Sequence, residues 1–495
     1  MIGAGRLGRS RRTGLLFHLY FSAPMSLPTC FSVPLLGCLL ALPLTAAESP
    51  PSAAKPVQNS GWVLVTPRHA KETVLLDSHG KEAHVWPANC EAAGSARLHP
   101  DGSILRLGRM PLPAPFDKSG LRGGRLQIIG WNGKVEWDFL DAVSDHFAFG
   151  DAVRLPNGNV LTAVLEYKSR QECEALGRAG DAVTDAGLYF PGLMEFKPHG
   201  KGSGLPVWKW SLADHVFQGR HPSLPHYVYP GENAGRMDVG VKSHLKGPVW
   251  LQPLEIDYHP QEDLVLMVMG GTGEVWVIDH STTQAEAATS EGGKRGRGGD
   301  LLVRWRGPTP APGMEQKSVV LSAEWAPVEG SALGVNVLRM DGTPATATVE
   351  KIQVAREAFT VSDPKLLLKD QTAPPTSADW NPLGSMPSSV AYDPVSQFVV
   401  LTDGLQGRVR TQNRTGVPWT HQNQRGQIKM RIHRGPMPGQ ECCGNATSST
   451  NEPSDVVKAS QSEQVKMKEV QTAPLLKARV YGSSVLKSIP DLESR

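Results

Sequence analysis

Short apolar runs alternate with glycine-, proline-, asparagine- and aspartate-containing turns along most of the chain. One recurrent form is an apolar strand, a Pro-Asp-Gly or Pro-Asn-Gly turn and a second strand, as at Leu98–Leu107 and Arg154–Val164. Looser copies occur at Ile256–Val268 and Ala391–Leu401. Asp-Gly and Asn-Gly turns need positive φ angles, and between β-branched runs they are a strong hairpin signal. Each copy therefore predicts a β-hairpin.

A second recurrent form is an apolar strand, a glycine turn and a strand that ends on tryptophan. It is present at Val74–Trp86, Ile128–Trp137, Met194–Trp210 and, more weakly, Val409–Trp419. An expanded copy runs from Val275 to Ala288 and resumes from Gly298 to Gly307, with a long polar loop as its turn. We expect the closing tryptophans to pack between neighbouring sheets.

The two forms alternate, and two hairpins in succession make a four-stranded sheet. The turn glycines Gly102 and Gly158 are 56 residues apart, and Gly80 and Gly133 are 53 apart. Such a period is typical of a β-propeller, in which four-stranded sheets stack around an axis because none can bury both faces alone. We therefore predict an all-β fold, a β-propeller of five to six blades over residues 61–425.

Two insertions interrupt the repeats. Leu165–Pro191 contains a stretch around Arg170–Arg178 that predicts at least one helical turn. His215–Val249 is rich in glycine, proline, histidine and tyrosine, which predicts a long loop. Long loops on a rigid scaffold commonly carry binding groups.

The ends of the chain predict export and a tail outside the propeller. Residues 1–47 form a processing segment whose apolar run, Phe31–Leu44, is followed by small residues suited to cleavage near Ala47, and Met25 is an alternative start. Residues 48–60 are a Pro/Ser/Ala-rich linker, and residues 436–495 are too polar to bury a core, so we expect a disordered tail. The predicted location is periplasmic or secreted, with no stable membrane span in the mature chain.

Composition narrows the function classes. The net charge of +3 is too small to argue for a nucleic-acid partner. The cysteines outside the processing segment (Cys90, Cys173, Cys442 and Cys443) match no zinc-site spacing, and no metal is predicted. A Cys90–Cys173 disulfide stays open in an oxidising compartment. The sequence does not set the oligomeric state.

Several phrases together resemble the arylsulfotransferase-like family, the PAPS-independent aryl-sulfate sulfotransferases of bacteria. They are G-W-N-G-K-V-E-W-D-F at Gly130–Phe139, L-P-N-G-N-V-L at Leu155–Leu161, V-W-K-W at Val207–Trp210 and W-V-I-D-H-S-T-T-Q-A-E-A-A at Trp276–Ala288. The resemblance implies a propeller of six four-stranded blades. It also implies sulfuryl transfer between phenolic compounds through a channel histidine, a small aromatic or sulfated partner molecule, and no cofactor. A nitrogen nucleophile would divide that transfer into two steps.

The chain departs from the family at the places where relatives carry channel histidines. Phe149 and Gly150 stand at a His-His pair, Gln252 stands at a second histidine and Leu321 at a third. None of these side chains can accept a sulfuryl group as imidazole does. Two hypotheses follow: an aryl-sulfate sulfotransferase-like enzyme, or a catalytically degenerate propeller that binds sulfated or aromatic ligands or a protein partner.

The candidate site residues have alternative interpretations. His146, just upstream of the altered pair, is a candidate nucleophile or an outer-loop residue. His280 is a candidate nucleophile or a turn histidine fixed by Asp279 and Ser281. Arg304 and Arg306 share a strand face and would either stabilise a transferring sulfuryl group or face solvent. Gln252 and Arg306 are the substrate-binding candidates. The insertion histidines His215, His221, His226 and His244 could face the funnel.

Overall fold

The computed structural model describes residues 62–370, with gaps at 68–69, 78–79, 230–234, 244, 246, 309–317 and 342–345. Beyond residue 370 it describes only the backbone of five strands. The predicted processing segment, linker and tail lie outside the described residues. The chain divides into the unit Met1–Arg434, which holds all the described residues, and the unit Gly435–Arg495.

Nearly all regular structure in the described residues is β-strand. The strands are β1 Trp62–Pro67, β2 Glu72–Leu76, β3 Glu82–Pro87, β4 Ala92–Leu98, β5 Ile104–Arg109, β6 Gly124–Ile129, β7 Val135–Leu140, β8 His146–Arg154, β9 Val160–Lys168, β10 Leu188–His199, β11 Ser203–Ser211, β12 Val216–Phe217, β13 Met237–Asp238, β14 Gln252–His259, β15 Leu264–Gly270, β16 Glu274–Asp279, β17 Val303–Trp305, β18 Val319–Glu329, β19 Ala332–Asp341, β20 Thr346–Val354, β21 Lys365–Asp370, β22 Val390–Asp393, β23 Phe398–Asp403, β24 Arg408–Gln412, β25 Thr420–Gln422 and β26 Ile428–His433. Helix α1 is Arg170–Ala175, and 3₁₀ turns lie at Gly180–Ala182, Leu212–His215 and Glu286–Ala288.

The strands pair into four-stranded antiparallel sheets. Sheet 1 has the order β26-β1-β2-β3, sheet 2 is β4–β7, sheet 3 is β8–β11, sheet 4 is β14–β17, sheet 5 is β18–β21 and sheet 6 is β22–β25. In sheet 1 the last described strand, β26, pairs with the first, with Trp62 opposite His433. The predicted propeller boundary at residue 425 is therefore too early, because the strand that completes sheet 1 lies beyond it.

In the strand orders given above, the first strand of each sheet lies nearest the axis, which in sheet 1 is β26. Inner strand β4 contacts β8, β8 contacts β14, β14 contacts β18, β18 contacts β22, β22 contacts β26, and β26 contacts β4. This closed order of inner strands is the arrangement of a β-propeller, which confirms the predicted all-β fold. Sheet 6 is described by its backbone alone.

The hairpins predicted from the turn glycines are present at the predicted positions. Gly102 joins β4 to β5 and Gly158 joins β8 to β9, with φ angles of +81° and +86°. Gly80 and Gly133, in the turns before β3 and β7, also have positive φ angles. These conformations favour glycine because it has no Cβ. The turn chemistry visible in the sequence therefore accounts for the hairpins β2–β3, β4–β5, β6–β7 and β8–β9.

The closing tryptophans pack between sheets, as predicted. Trp86, Trp137 and Trp210 are at most 3 % exposed. Their indole N–H groups donate to the next sheet: Trp86 to the carbonyl of Gly102 at 3.2 Å, Trp137 to that of Ser203 at 2.7 Å, and Trp210 to that of Gly299 at 2.7 Å. Each indole thus fills an apolar layer and satisfies its donor in the neighbouring sheet. Trp419 lies outside the described residues.

The insertions carry helix α1 and a short parallel strand pair. The helical turn predicted around Arg170–Arg178 is α1, whose Ser169 and Glu172 form a capping box. The second insertion holds the two-stranded parallel pair of β12 and β13. No helix in the described part of the chain is both long enough and apolar enough to cross a membrane.

The two described cysteines, Cys90 and Cys173, are free and buried, so the pairing that the sequence left open is not formed in this structure. Cys90 follows β3 and contacts Arg106 and Gln127 of sheet 2. Cys173 lies in α1, within the apolar core that sheets 3 and 4 share. Each sulfur thus has its own packing environment.

Candidate functional site

The family resemblance places the nucleophilic histidines in the inner strands. Phe149 and Gly150 lie in β8, Gln252 is the first residue of β14, and Leu321 is near the start of β18. Phe149, Gln252 and Leu321 are 6 %, 8 % and 1 % exposed. These positions therefore contribute packing rather than an accessible nucleophile.

Gly150 occupies a point where inner strands touch backbone to backbone. Its φ angle is +78°, and a Cβ built on it would lie 2.5 Å from the carbonyl oxygen of Pro253 in β14. A Cβ on Gly94 in β4 would lie 2.4 Å from the carbonyl oxygen of Gly150 itself. Real Cβ contacts are not this short, so no side chain, imidazole included, fits at Gly150 without moving an inner strand.

Phe149 is part of a buried aromatic cluster. Its ring lies edge-to-face with Phe147 at a centroid distance of 5.7 Å, and Phe147 lies 4.8 Å from Phe116. Tyr189 completes the cluster and donates its hydroxyl to the carbonyl of Pro115 at 2.9 Å. Aromatic pairs in these geometries add to the free energy of burial. A phenylalanine at position 149 is thus explained by packing alone.

His146 is the first residue of β8, and both of its ring nitrogens face carboxylates. Nδ1 lies 2.9 Å from Asp145 Oδ1, and Nε2 lies 3.1 Å from Asp141 Oδ1. Burial lowers the pKa of His146, but the two carboxylates outweigh it, and the pKa is raised overall. A protonated imidazole has no lone pair with which to attack sulfur. The structure therefore presents His146 as an ion-pair partner at the start of an inner strand.

His280 directly follows β16 and is held between two carboxylates. Nδ1 lies 2.7 Å from Asp263 Oδ1, and Nε2 lies 3.2 Å from Glu195 Oε2. Burial lowers the pKa of His280, but the neighbouring carboxylates of Asp263 and Glu195 outweigh it and raise the pKa to about 9. Trp208 lies beside the ring, with a centroid distance of 4.5 Å. His280 is thus a buried cation shared by sheets 3 and 4.

The predicted partners of His280 were wrong in detail. Asp279 accepts hydrogen bonds from the hydroxyl and backbone N–H of Ser281, at 2.5 and 3.0 Å. It shapes the turn, while the histidine reaches Asp263 and Glu195, which are distant in sequence. The sequence signal for Glu195 was a lone acid in an otherwise apolar strand, L-M-E-F, where it is 5 % exposed.

Glu195 also joins two of the phrases that carry the family resemblance. Its Oε1 accepts hydrogen bonds from Asn157 at 3.3 Å and from Asn159 at 2.5 Å, the two asparagines of the L-P-N-G-N turn. Its Oε2 faces His280 of the I-D-H-S-T-T phrase. These two phrases therefore meet at one carboxylate and hold neighbouring sheets together.

The insertion histidine His215 is fully buried. Its Nδ1 lies 2.9 Å from Asp300 Oδ1 and its Nε2 lies 2.8 Å from the carbonyl oxygen of Ala287. It does not face a funnel, because it stacks on Trp210 between sheet 3 and the long loop of sheet 4. His221 and His226 are exposed, and His244 lies outside the described residues.

Arg304 and Arg306 lie at the outer edge of sheet 4. Arg304 is in β17, the outermost strand, and its guanidinium binds both oxygens of Glu274 at 2.9 and 3.1 Å. Arg306 follows the end of β17 and is half-buried. Since β14 is the inner strand of this sheet, the two arginines are on the side away from the axis. Gln252 is the only one of the predicted substrate-binding residues in an inner strand.

A charged cluster that the repeat pattern did not reveal joins three inner strands. Arg97 of β4 donates to Asp151 of β8 at 3.1 Å and to Asp257 of β14 at 3.0 Å, and it also donates to the carbonyl of Ile256. Asp151 also accepts from Ser95 at 2.7 Å. The available signal was polar residues at alternate positions of apolar strands, as in S-A-R at 95–97 and E-I-D at 255–257.

A groove of about 450 Å³ opens at the turns that follow the inner strands of sheets 2, 3 and 4. We call it the turn groove; the lining residues used below are Pro100, Asp101, Arg154, Pro156, Gly158, Tyr258 and Pro260. Its volume is within the range of small-molecule sites. It lies at the end of β14 opposite to Gln252 and at the end of β8, whose middle holds Phe149, because it forms at the turns where those strands end. Among the described residues, no group of histidine, cysteine and acidic side chains is arranged to hold a metal ion.

Comparison with known proteins gives structural similarity only. No known family model matches the sequence, and no curated protein matches it. A Bacteroides caccae protein of unknown function matches with a TM-score of 0.38 at 11 % identity, covering 77 % of this chain and 100 % of that one. The periplasmic gluconolactonase of Pseudomonas aeruginosa matches with a TM-score of 0.37 at 12 % identity, covering 75 % and 98 %. Similarities at this level carry no argument about activity.

Proposed function

We propose that this protein is a catalytically degenerate, arylsulfotransferase-like propeller that binds a small aromatic or sulfated molecule. The observation that carries the proposal is the contact at Gly150, where a Cβ would lie 2.5 Å from the carbonyl oxygen of Pro253. A nucleophilic side chain has no room at that position. Phe149 and Leu321 support the same conclusion, because both are buried where relatives have histidines.

The nearby histidines also favour binding over sulfuryl transfer. A sulfohistidine forms only when one ring nitrogen has a free lone pair. Both ring nitrogens of His146 and both of His280 lie within 3.2 Å of carboxylate oxygens. The pKa of both rings is raised, to about 9 for His280, which favours the protonated form that has no lone pair for attack on sulfur. We therefore assign these two residues to holding the fold.

The sequence phrases shared with the family support a common fold, but they do not support a common reaction. The L-P-N-G-N turn and the I-D-H-S-T-T phrase meet at Glu195, so their retention follows from the contact between sheets 3 and 4. Fold and chemistry are separable in this way when the site residues change and the packing residues do not. We take each four-stranded sheet as one blade, which makes the proposed count six, and we propose a periplasmic or secreted location.

The experiment that tests the proposal is a sulfuryl-transfer assay. Purified protein is incubated with 4-nitrophenyl sulfate and phenol, and nitrophenol release is followed beside an active aryl-sulfate sulfotransferase under the same conditions. We expect no release above the rate without protein, together with saturable binding of an aromatic ligand by calorimetry. Release that saturates with substrate and disappears in His146→Gln would overturn the non-catalytic proposal.

A further inference from the structure

The turn groove has an apolar wall built from the same position of three successive turns. Pro100, Pro156 and Pro260 each follow an inner strand, in the phrases H-P-D-G, L-P-N-G and H-P-Q-E. Tyr258 lines the same groove. Proline and tyrosine rings offer flat C–H and π surfaces, which suit a planar ring. The repeat that builds the hairpins thus also builds an apolar wall of the groove.

The polar part of the wall is the ion pair of Arg154 and Asp101, whose charges cancel. Arg154 Nη1 donates to Asp101 Oδ2 at 3.0 Å, and both residues line the groove. A guanidinium has five N–H donors, and this bond uses one of them. Asp101 lies beside it with a carboxylate that accepts hydrogen bonds. A ligand that presents an acceptor and a donor side by side would match such a pair, whereas a ligand anion would meet the charge of Asp101.

We propose that the turn groove binds a neutral, planar aromatic molecule whose edge carries adjacent acceptor and donor groups, as in an aryl carboxamide. The carbonyl oxygen accepts from Arg154, the amide N–H donates to Asp101, and the ring lies against the prolines and Tyr258. This inference rests on the proposed binding function and names its site and ligand class. The site is at the end of β14 opposite to Gln252 and at the end of β8, whose middle holds Phe149 and Gly150.

Gly158 offers a way to fill the groove without disturbing the fold. It lines the groove at a φ angle of +86°, and a Cβ built on it would meet no atom within 4 Å. Asparagine tolerates this left-handed conformation better than other residues with side chains. Gly200, in the turn between β10 and β11, also has a positive φ angle and open space, and it is not among the groove residues. Gly158→Asn and Gly200→Asn are therefore a matched pair.

The first test is calorimetric titration of the full-length protein with benzamide. We expect saturable binding that Gly158→Asn weakens at least tenfold and Gly200→Asn leaves within twofold, with similar melting temperatures for the two variants. Cyclohexanecarboxamide, which has the same amide on a non-planar ring, should bind at least fivefold more weakly. Benzamide binding that is equal in both variants would overturn the groove assignment while leaving the binding function standing. If neither an aromatic nor a sulfated ligand binds the wild-type protein, both the groove assignment and the binding function are overturned.

The second test changes which ligand is preferred. Asp101→Asn keeps a side-chain oxygen that can accept from Ser103, as Asp101 does now at 2.6 and 2.9 Å, so the turn should be retained. It removes the negative charge beside Arg154. We expect the ratio of benzamide to benzoate affinity to fall at least tenfold, because benzoate no longer faces Asp101. A ratio that does not change would contradict recognition by the Asp101–Arg154 pair, since a purely structural effect would weaken both ligands alike.

Discussion

Glu195 Oε2 lies 3.2 Å from His280 Nε2, and this ion pair joins the third strand of sheet 3 to the end of the third strand of sheet 4. Asp263 holds the other ring nitrogen, and Asn157 and Asn159 hold the other oxygen of Glu195. The chain therefore uses a charged network, in addition to apolar packing, to set the position of neighbouring sheets. Apart from Glu195, which lies within β10, its members are in turns or directly after a strand, and Asn157 and Asn159 share their turn with the groove residue Gly158.

Replacing His280 with alanine should destabilise the protein strongly. The change would leave Glu195 and Asp263 close together without the cation between them, and breaking a buried pair of this kind costs about 3–5 kcal/mol. We expect a loss of about 3 kcal/mol in the free energy of unfolding, measured by urea denaturation. His199→Ala, at an exposed histidine of β10, is the control and should change stability by less than about 0.5 kcal/mol. Equal losses in the two variants would contradict the role assigned to His280.

The same network predicts how stability depends on pH. The pKa of His280 rises from 6.5 to about 9 on folding, so its contribution is complete below pH 6.5 and is lost as the pH rises through 9. A difference of this size corresponds to about 3 kcal/mol. The pKa values of Glu195 and Asp263 are lowered, so their contribution is lost in acid, as the pH falls through those lowered values. Wild-type protein should therefore lose stability between pH 6.5 and 9, while His280→Asn should show a much flatter dependence over that range. Parallel curves would refute this assignment.

The repeated turns made most of the fold predictable. Asp101-Gly102 and Asn157-Gly158 are residue pairs typical of turns with positive φ angles, and both glycines adopt such angles. Local sequence was therefore sufficient to place these hairpins. The strand β26 was missed because its partner, β1, is at the other end of the described chain, and no turn connects them. Because β1 and β26 pair only when the ring of sheets closes, no short stretch of sequence indicates their pairing.

The candidate site was less predictable, because its members are brought together from different sheets. The partners of His280 lie 17 and 85 residues away in sequence, and turn chemistry pointed to the adjacent Asp279 instead. The close approach at Gly150 was also invisible, since a glycine in a strand does not reveal which backbone lies above it. The loss of the family's channel histidines, by contrast, could be read directly from the sequence at Phe149, Gly150, Gln252 and Leu321. The structure adds why a histidine would not fit at Gly150.

Arg97 should contribute far more to stability than the outer arginine of sheet 4. Its side chain is 14 % exposed and pairs with Asp151 and Asp257, so Arg97→Met would leave two inner-strand carboxylates without their cation. We expect a loss of about 3 kcal/mol or more in the free energy of unfolding. Arg304→Met removes an ion pair whose arginine is 29 % exposed, and it should cost less than about 1 kcal/mol. If chemical denaturation gave the two variants the same stability, the inner-strand cluster would not hold the sheets as described.

The contact at Gly150 can be separated from the conformational preference of glycine by comparing two positive-φ glycines. Gly150→Ala places a methyl group 2.5 Å from the carbonyl oxygen of Pro253, whereas Gly158→Ala places one in open space. Both variants bear the cost of an alanine in the left-handed region, about 1–2 kcal/mol. Only Gly150→Ala must also move β8 away from β14, so we expect it to lose at least about 2 kcal/mol more in the free energy of unfolding, measured by thermal and urea denaturation. Equal losses would show that an inner strand yields easily at this position, and a histidine introduced there would then have the room that the present contact denies it.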